Sequence, residues 1–77
     1  MAKWKSNAMQ TTYTYAVIAA SGATVFVSGD KARARLMLAS CRADYPESVF
    51  ALVLETCYPS GRCDEHYIVS FYQPLEN

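Results

Sequence analysis

Four runs rich in apolar residues, grouped in two pairs around one amphipathic segment, form the main pattern of the chain. They cover residues 11–20, 23–28, 48–57 and 63–73. Each pair is joined through a Ser-Gly dipeptide, Ser21-Gly22 in the first and Ser60-Gly61 in the second. Runs rich in β-branched and aromatic residues that flank such a turn are typical of β-hairpins.

The segment between the two pairs, residues 31–45, contains neither Gly nor Pro and predicts one α-helix. Asp30 precedes it and is a favourable N-cap. At about 100° per residue, one stripe is apolar and a second is basic. The apolar stripe consists of Ala34, Met37, Leu38, Cys41 and Tyr45, and the basic stripe of Lys31, Arg35 and Arg42. We therefore expect an α+β fold of order ββαββ, a four-stranded, mainly antiparallel sheet with one helix packed on one face.

Residues 1–10 show no periodicity, and Ser6-Asn7-Ala8 before Met9 resembles a remnant of tag removal. We expect residues 1–10 to be a flexible leader, partly left over from cloning, and residues 11–77 to be a single α+β domain. A chain of this length supports only one core.

A tight turn in the first hairpin would pair Val17 with Phe26 and Ile18 with Val25, which leaves both faces apolar. In the second hairpin, pairing Cys57 with Cys63 would place two glutamates opposite each other, which is unfavourable. The alternative, a two-residue turn at Ser60-Gly61, pairs Leu52 with Val69, Leu54 with Tyr67, Phe50 with Phe71 and Glu55 with His66. We favour the second register, which places the two cysteines on opposite faces and argues against a disulfide.

That register gathers four potential ligands on one face: Glu55, Cys57, Asp64 and His66. They could hold a divalent metal, or the histidine could activate the thiol. The spacing Cys-x5-Cys-x2-His is not a zinc-finger pattern, so we expect an exposed hairpin end without metal or cofactor. An odd number of cysteines favours a reducing compartment, and we expect a cytoplasmic protein, in its own cell or in a host cell.

The helix would cover one face of the sheet and leave the other uncovered. We expect the covered layer to include Ile18, Val25, Val27, Phe50, Leu52, Leu54, Val69 and Phe71. The uncovered face would then hold Tyr13, Tyr15, Val17, Phe26, Val49, Val53, Ile68 and Tyr72. An exposed aromatic patch of this kind is typical of a binding surface.

Composition and charge narrow the possible functions. Hydrophobic residues make up 52% of the chain, and seven basic residues balance seven acidic ones. Zero net charge gives no field that attracts phosphate backbones, so we do not expect nucleic acid as the partner. No apolar run approaches the length of a membrane span. The chain has one histidine and no Gly-rich phosphate loop or nucleophile motif, which argues against an enzyme.

We therefore expect a small non-enzymatic protein-binding module that acts through the aromatic face, as a homodimer or as an inhibitor or regulator of a larger protein. The basic stripe is a second candidate surface. Phage and other mobile-element accessory proteins are often of this size and type, which is an argument by analogy. The alternative is a single-stranded nucleic-acid-binding module, in which sheet aromatics stack on bases and the basic stripe contacts phosphates.

Overall fold

The computed structural model describes residues 10–75. Its elements are β1 (Thr12–Ala19), β2 (Thr24–Ser28), the helix α1 (Lys31–Asp44), β3 (Phe50–Cys57) and β4 (Cys63–Val69). The strands form one sheet of order β2-β1-β3-β4, in which all neighbours are antiparallel. The predicted ββαββ fold is confirmed. The predicted leader falls almost entirely on residues 1–9, which lie outside the described residues.

The helix begins where the sequence predicts. The Asp30 carboxylate accepts hydrogen bonds from the backbone N–H groups of Ala32, at 2.9 Å, and Arg33, at 3.4 Å. These bonds satisfy two N–H groups that have no partner within the helix. Ala34 and Leu38 are fully buried, so this stripe of α1 lies against the sheet. The core that they form with the sheet consists of Val17, Ala34, Leu38, Phe50, Leu52 and Val69.

The second hairpin has a three-residue loop, one residue longer than predicted. Gly61 N donates to Tyr58 O at 2.9 Å, and Tyr58 N donates to Arg62 O at 2.8 Å. Gly61 has φ +96°, the left-handed conformation that this loop type requires at its third position. The extra loop residue shifts the register at the tip, so that Cys57 lies opposite Cys63.

The first hairpin repeats this geometry. Gly22 N donates to Ala19 O at 2.9 Å, Ala19 N donates to Ala23 O at 2.8 Å, and φ of Gly22 is +97°. Because the two loops share one length and one set of backbone bonds, the two Ser-Gly signals correspond to the same local structure.

Further from each turn, a β-bulge restores the predicted register. In the first hairpin the shift lies between Val17 and Ile18, so Val17 still pairs with Phe26, whereas Ile18 pairs with Thr24 instead of Val25. In the second it lies next to Leu52, which pairs with Val69 as predicted. Each bulge inserts one unpaired residue in the outer strand and thereby offsets the longer loop. The predicted pairs of Leu54 with Tyr67 and of Glu55 with His66, which lie between the bulge and the turn, are wrong.

β4 is shorter than expected. The prediction extended it to residue 73 and paired Phe71 with Phe50, but the strand ends at Val69. A turn follows, in which Gln73 N donates to Ser70 O at 3.1 Å and Ser70 N donates to the Gln73 side chain at 3.0 Å. The Gln73 side-chain oxygen therefore accepts the hydrogen bond from the Ser70 backbone N–H.

Arg42, near the C-terminus of α1, fixes this turn to the rest of the domain. Its guanidinium donates to four backbone carbonyls: Gln73 O at 2.7 Å, Phe50 O at 3.0 Å, Ser70 O at 3.0 Å and Phe71 O at 3.3 Å. Five donors in a rigid plane suit arginine to such a site. Arg42 thus connects the helix, the start of β3 and the segment after β4.

Candidate functional site

The sheet face opposite α1, which we call the open face, is the candidate site. Val17 and Leu52 are paired and both lie in the core beneath the helix, so their neighbours along each strand point away from it. These neighbours form a shallow depression with an apolar centre of Ala16, Ile18, Val27 and Val53. Its rim is polar and consists of Thr14, Thr24, Glu55 and Glu65.

Four aromatic or apolar residues that we expected on this face have the opposite strand parity and belong to the face that the helix covers. Val17 is fully buried in the core, and Tyr15 and Phe26 pack against it. Tyr13 has the same strand parity as Tyr15 and is 58% exposed. The prediction was wrong because both faces of the first hairpin are apolar, and the pairing of β1 with β3, which the hairpin alone does not specify, decides which face the helix covers.

The remaining residues of that predicted face are scattered. Val53 lies on the open face, as predicted, and is only 4% exposed. Ile68 packs against the core at the bulge of β4. Tyr72 is 85% exposed in the turn after β4, and Val49 lies just before β3. These side chains do not form one aromatic surface. Ile18 and Val27, which we expected beneath the helix, lie on the open face instead.

A pattern in β1 could have identified the open face. The strand begins Thr-Tyr-Thr-Tyr. Because Thr14 lies on the open face and Tyr15 packs against the core, the threonines have the parity of the open face and the tyrosines have the parity of the face that the helix covers. We assigned the tyrosines to an interface and thus inverted this alternation.

The basic helix stripe is not a uniform charged surface. Arg42 is half-buried and donates to four backbone carbonyls. Arg35 is half-buried as well, whereas Lys31 is exposed. The prediction that the three form one surface for a partner is wrong for Arg42, whose donors are used within the fold.

The four predicted ligands divide between the two faces of the sheet. Glu55 and Cys57 share the parity of Val53 and belong to the open face, whereas Asp64 and His66 alternate with Cys63 and Glu65 and have the opposite parity. Cys57 forms a disulfide with Cys63, with their Cα atoms 4.1 Å apart. The expectation of two unpaired thiols was wrong, because the three-residue loop places the cysteines directly opposite each other.

Cys41 is the one free cysteine in the described part of the chain and packs against the core. Burial raises the pKa of its thiol, and the negative charge of Asp44 adds to that shift. Both effects disfavour the thiolate, which is the reactive form. This placement agrees with the prediction of a core residue on the apolar stripe.

The charge of the open face has one sign. Glu55 lies directly opposite Glu65, an arrangement of like charges that disfavours the strand pair. The eight side chains that form the depression include these two carboxylates and no Lys or Arg. Arg62 is bound elsewhere: it lies 3.3 Å from Asp64 and stacks over the Tyr58 ring at 4.9 Å. The open face therefore presents an apolar centre with a negative end.

The chain matches no protein-family model, and comparison with curated proteins and with solved structures gave no significant match. Within residues 10–75, no helix combines the length and apolar character needed to cross a bilayer.

Proposed function

We propose that this protein is a non-enzymatic binding module whose open face docks a basic, amphipathic segment of another protein. The observation that carries the proposal is the apolar depression of Ala16, Ile18, Val27 and Val53 with Glu55 and Glu65 at one end. Apolar side chains of the partner would fill the centre, and Lys or Arg would lie against the two carboxylates.

The size of the face favours a segment over a whole domain. Four strands about 4.8 Å apart and about six residues at 3.3 Å each give a face of roughly 19 by 20 Å, or about 400 Å². A stable interface between two globular proteins buries about 800 Å² on each side. A single helix or hairpin of the partner matches the smaller area.

The charge of the face favours a basic partner over a second copy or a nucleic acid. Glu55 and Glu65 would repel phosphates. A second copy would bring the same two carboxylates to the interface and would add negative charge instead of neutralising it. Tyr15 and Phe26 pack against the core, and among the aromatic rings of the four strands only Tyr67, opposite Val53, lies exposed on the open face. One ring is fewer than proteins use to stack successive bases. A homodimer remains an outcome that the experiment distinguishes.

The test is a selection of short random peptides displayed on phage against the immobilised full chain. We expect the selected peptides to combine an apolar stripe with Lys or Arg. A Val27→Glu variant should lose this binding, because the new glutamate adds a third negative charge to the open face. Val27 is 56% exposed there, so the change should not disturb the core.

The matched control is Leu36→Glu, which makes the same kind of change at a side chain that is 70% exposed on the helix. It should bind the selected peptides as the unaltered chain does. Equal binding by both variants, or selected peptides without basic residues, would overturn the proposal. Light scattering over a concentration series should show a monomer; a dimer abolished by Val27→Glu would assign the open face to a second copy instead.

A further inference from the structure

A cluster of sulfur and carboxylate ligands lies at the tip of β3 and β4. The ligand atoms of Glu55, Cys57 and Cys63 are all within 4.8 Å of one another. Glu65 lies opposite Glu55 on the same face, as Cys63 lies opposite Cys57. Each glutamate is two residues away from the cysteine of its own strand. Cys63 is exposed and the other two ligands are half-buried, so the cluster is accessible from solvent.

While the disulfide is intact, the two sulfurs are poor ligands, because metals bind the thiolate. We propose that reduction of the Cys57–Cys63 disulfide converts this tip into a site for one divalent cation of the zinc type. The two thiolates and the Glu55 carboxylate supply three ligands, and Glu65 or a water completes the tetrahedron. The site differs from the one considered in the sequence, since Asp64 and His66 lie on the other face.

The geometry requires little rearrangement. In a tetrahedral zinc site with zinc–sulfur distances of about 2.3 Å, two thiolate sulfurs lie about 3.8 Å apart. This separation is smaller than the 4.8 Å within which the ligand atoms of Glu55, Cys57 and Cys63 already lie. The backbone bond from Tyr58 N to Arg62 O, at 2.8 Å, flanks the cysteine pair and does not depend on the disulfide. Rotation of the two cysteine side chains therefore suffices to separate the sulfurs.

The bound cation also removes an unfavourable contact. Glu55 and Glu65 face each other as like charges, which destabilises the strand pair. A dication between the thiolates and these carboxylates offsets that repulsion. This is an independent reason to place the cation at this end of the sheet.

The redox step needs an external reductant, which is a small dithiol or two equivalents of a monothiol. It transfers two electrons and two protons to the disulfide; the sulfur–sulfur bond breaks and the reductant leaves as its own disulfide. Cation binding then releases the two thiol protons to water. Cation binding at this tip does not require docking at the open face and can be measured without a peptide.

The test is a titration of the reduced full chain with Cd²⁺ under anaerobic conditions, followed by the ultraviolet thiolate-to-cadmium band and by native mass spectrometry. We expect one ion per chain, and no band for the oxidised chain. Glu55→Gln should weaken Cd²⁺ binding by at least about tenfold, since changes outside the ligand shell already cost 10–100-fold in affinity. This variant keeps all cysteines and removes a like-charge contact, so it should fold.

Asp64→Asn is the matched control, because it removes a carboxylate from the same hairpin on the other face and should leave the affinity unchanged. Cys41→Ser should also bind as the unaltered chain does. The proposal is overturned if the reduced chain gives no band, if Glu55→Gln binds as tightly as Asp64→Asn, or if Cys41→Ser abolishes the band.

Discussion

Replacement of Arg42 should destabilise the domain far more than replacement of another arginine on the same helix. Arg42→Met keeps an unbranched stem but removes all donors to the four carbonyls. The carbonyls of Phe50 and Phe71 are involved in part-buried bonds, and an unpaired buried acceptor costs about 1–3 kcal/mol. The carbonyls of Ser70 and Gln73 are exposed and can bind water instead.

The expected loss is therefore about 2–4 kcal/mol, mostly from the two part-buried carbonyls. For a domain of this size, that lowers Tm by at least about 10 °C. Arg42→Lys should lose somewhat less, because an ammonium keeps the charge but cannot reach several carbonyls in one plane.

The assay is urea unfolding followed by far-ultraviolet circular dichroism, with Arg33→Met as the matched control on the exposed side of α1. We expect the control to change the free energy of unfolding by less than about 0.5 kcal/mol. If Arg42→Met and Arg33→Met unfold at the same urea concentration, the four bonds do not stabilise the fold and the reasoning is refuted.

Two further predictions concern the turn and the free thiol. Gly61→Ala should lower the free energy of unfolding by about 1 kcal/mol, because a φ of +96° is unfavourable for alanine. No atom lies within 4 Å of the added methyl group, so the loss would come from the backbone conformation and not from a clash. Gly29→Ala is the control, with φ outside the left-handed region and equally open surroundings, and it should be neutral or stabilising; equal losses would contradict the turn assignment. Cys41 in the native, oxidised chain should react with iodoacetamide several-fold more slowly than in urea, since burial raises the pKa of its thiol. Because the pKa of the thiol is raised in the folded state, any stabilisation linked to it is present below its ordinary pKa and is lost as the pH rises towards the pKa in the folded state. Native labelling as fast as labelling in urea would show that Cys41 is exposed.

The elements and their order could be predicted because each has a local cause. Asp30 accepts helix N–H groups, residues 31–45 lack helix breakers, and each Ser-Gly pair terminates a strand. Such signals depend on neighbours within a few residues, which the sequence displays directly.

The faces and the tip register could not be predicted in the same way. The residue that lies opposite Cys57 in β4 depends on whether the loop at Gly61 has two or three residues. A Ser-Gly dipeptide is compatible with both loop lengths. The choice between Val17 and Ile18 as core residues depends on pairing with β3, which is distant in sequence. The several roles of Arg42 depend on where the chain turns after β4, so the residue looked like one member of a basic stripe.

The strand order also determines how the domain responds to a pulling force. β1 and β4 run in the same direction, with β3 antiparallel between them, so tension applied at Thr12 and Val69 pulls the two strands in opposite directions along their length. Hydrogen bonds in an antiparallel pair are perpendicular to the strands, and the pairs that join β1 to β3 are therefore loaded together in shear and not opened one by one. An atomic force measurement between these two points should meet higher resistance than one between Thr12 and Cys57, which are paired at the same end of β1 and β3, so that pulling them apart opens the hydrogen bonds one by one.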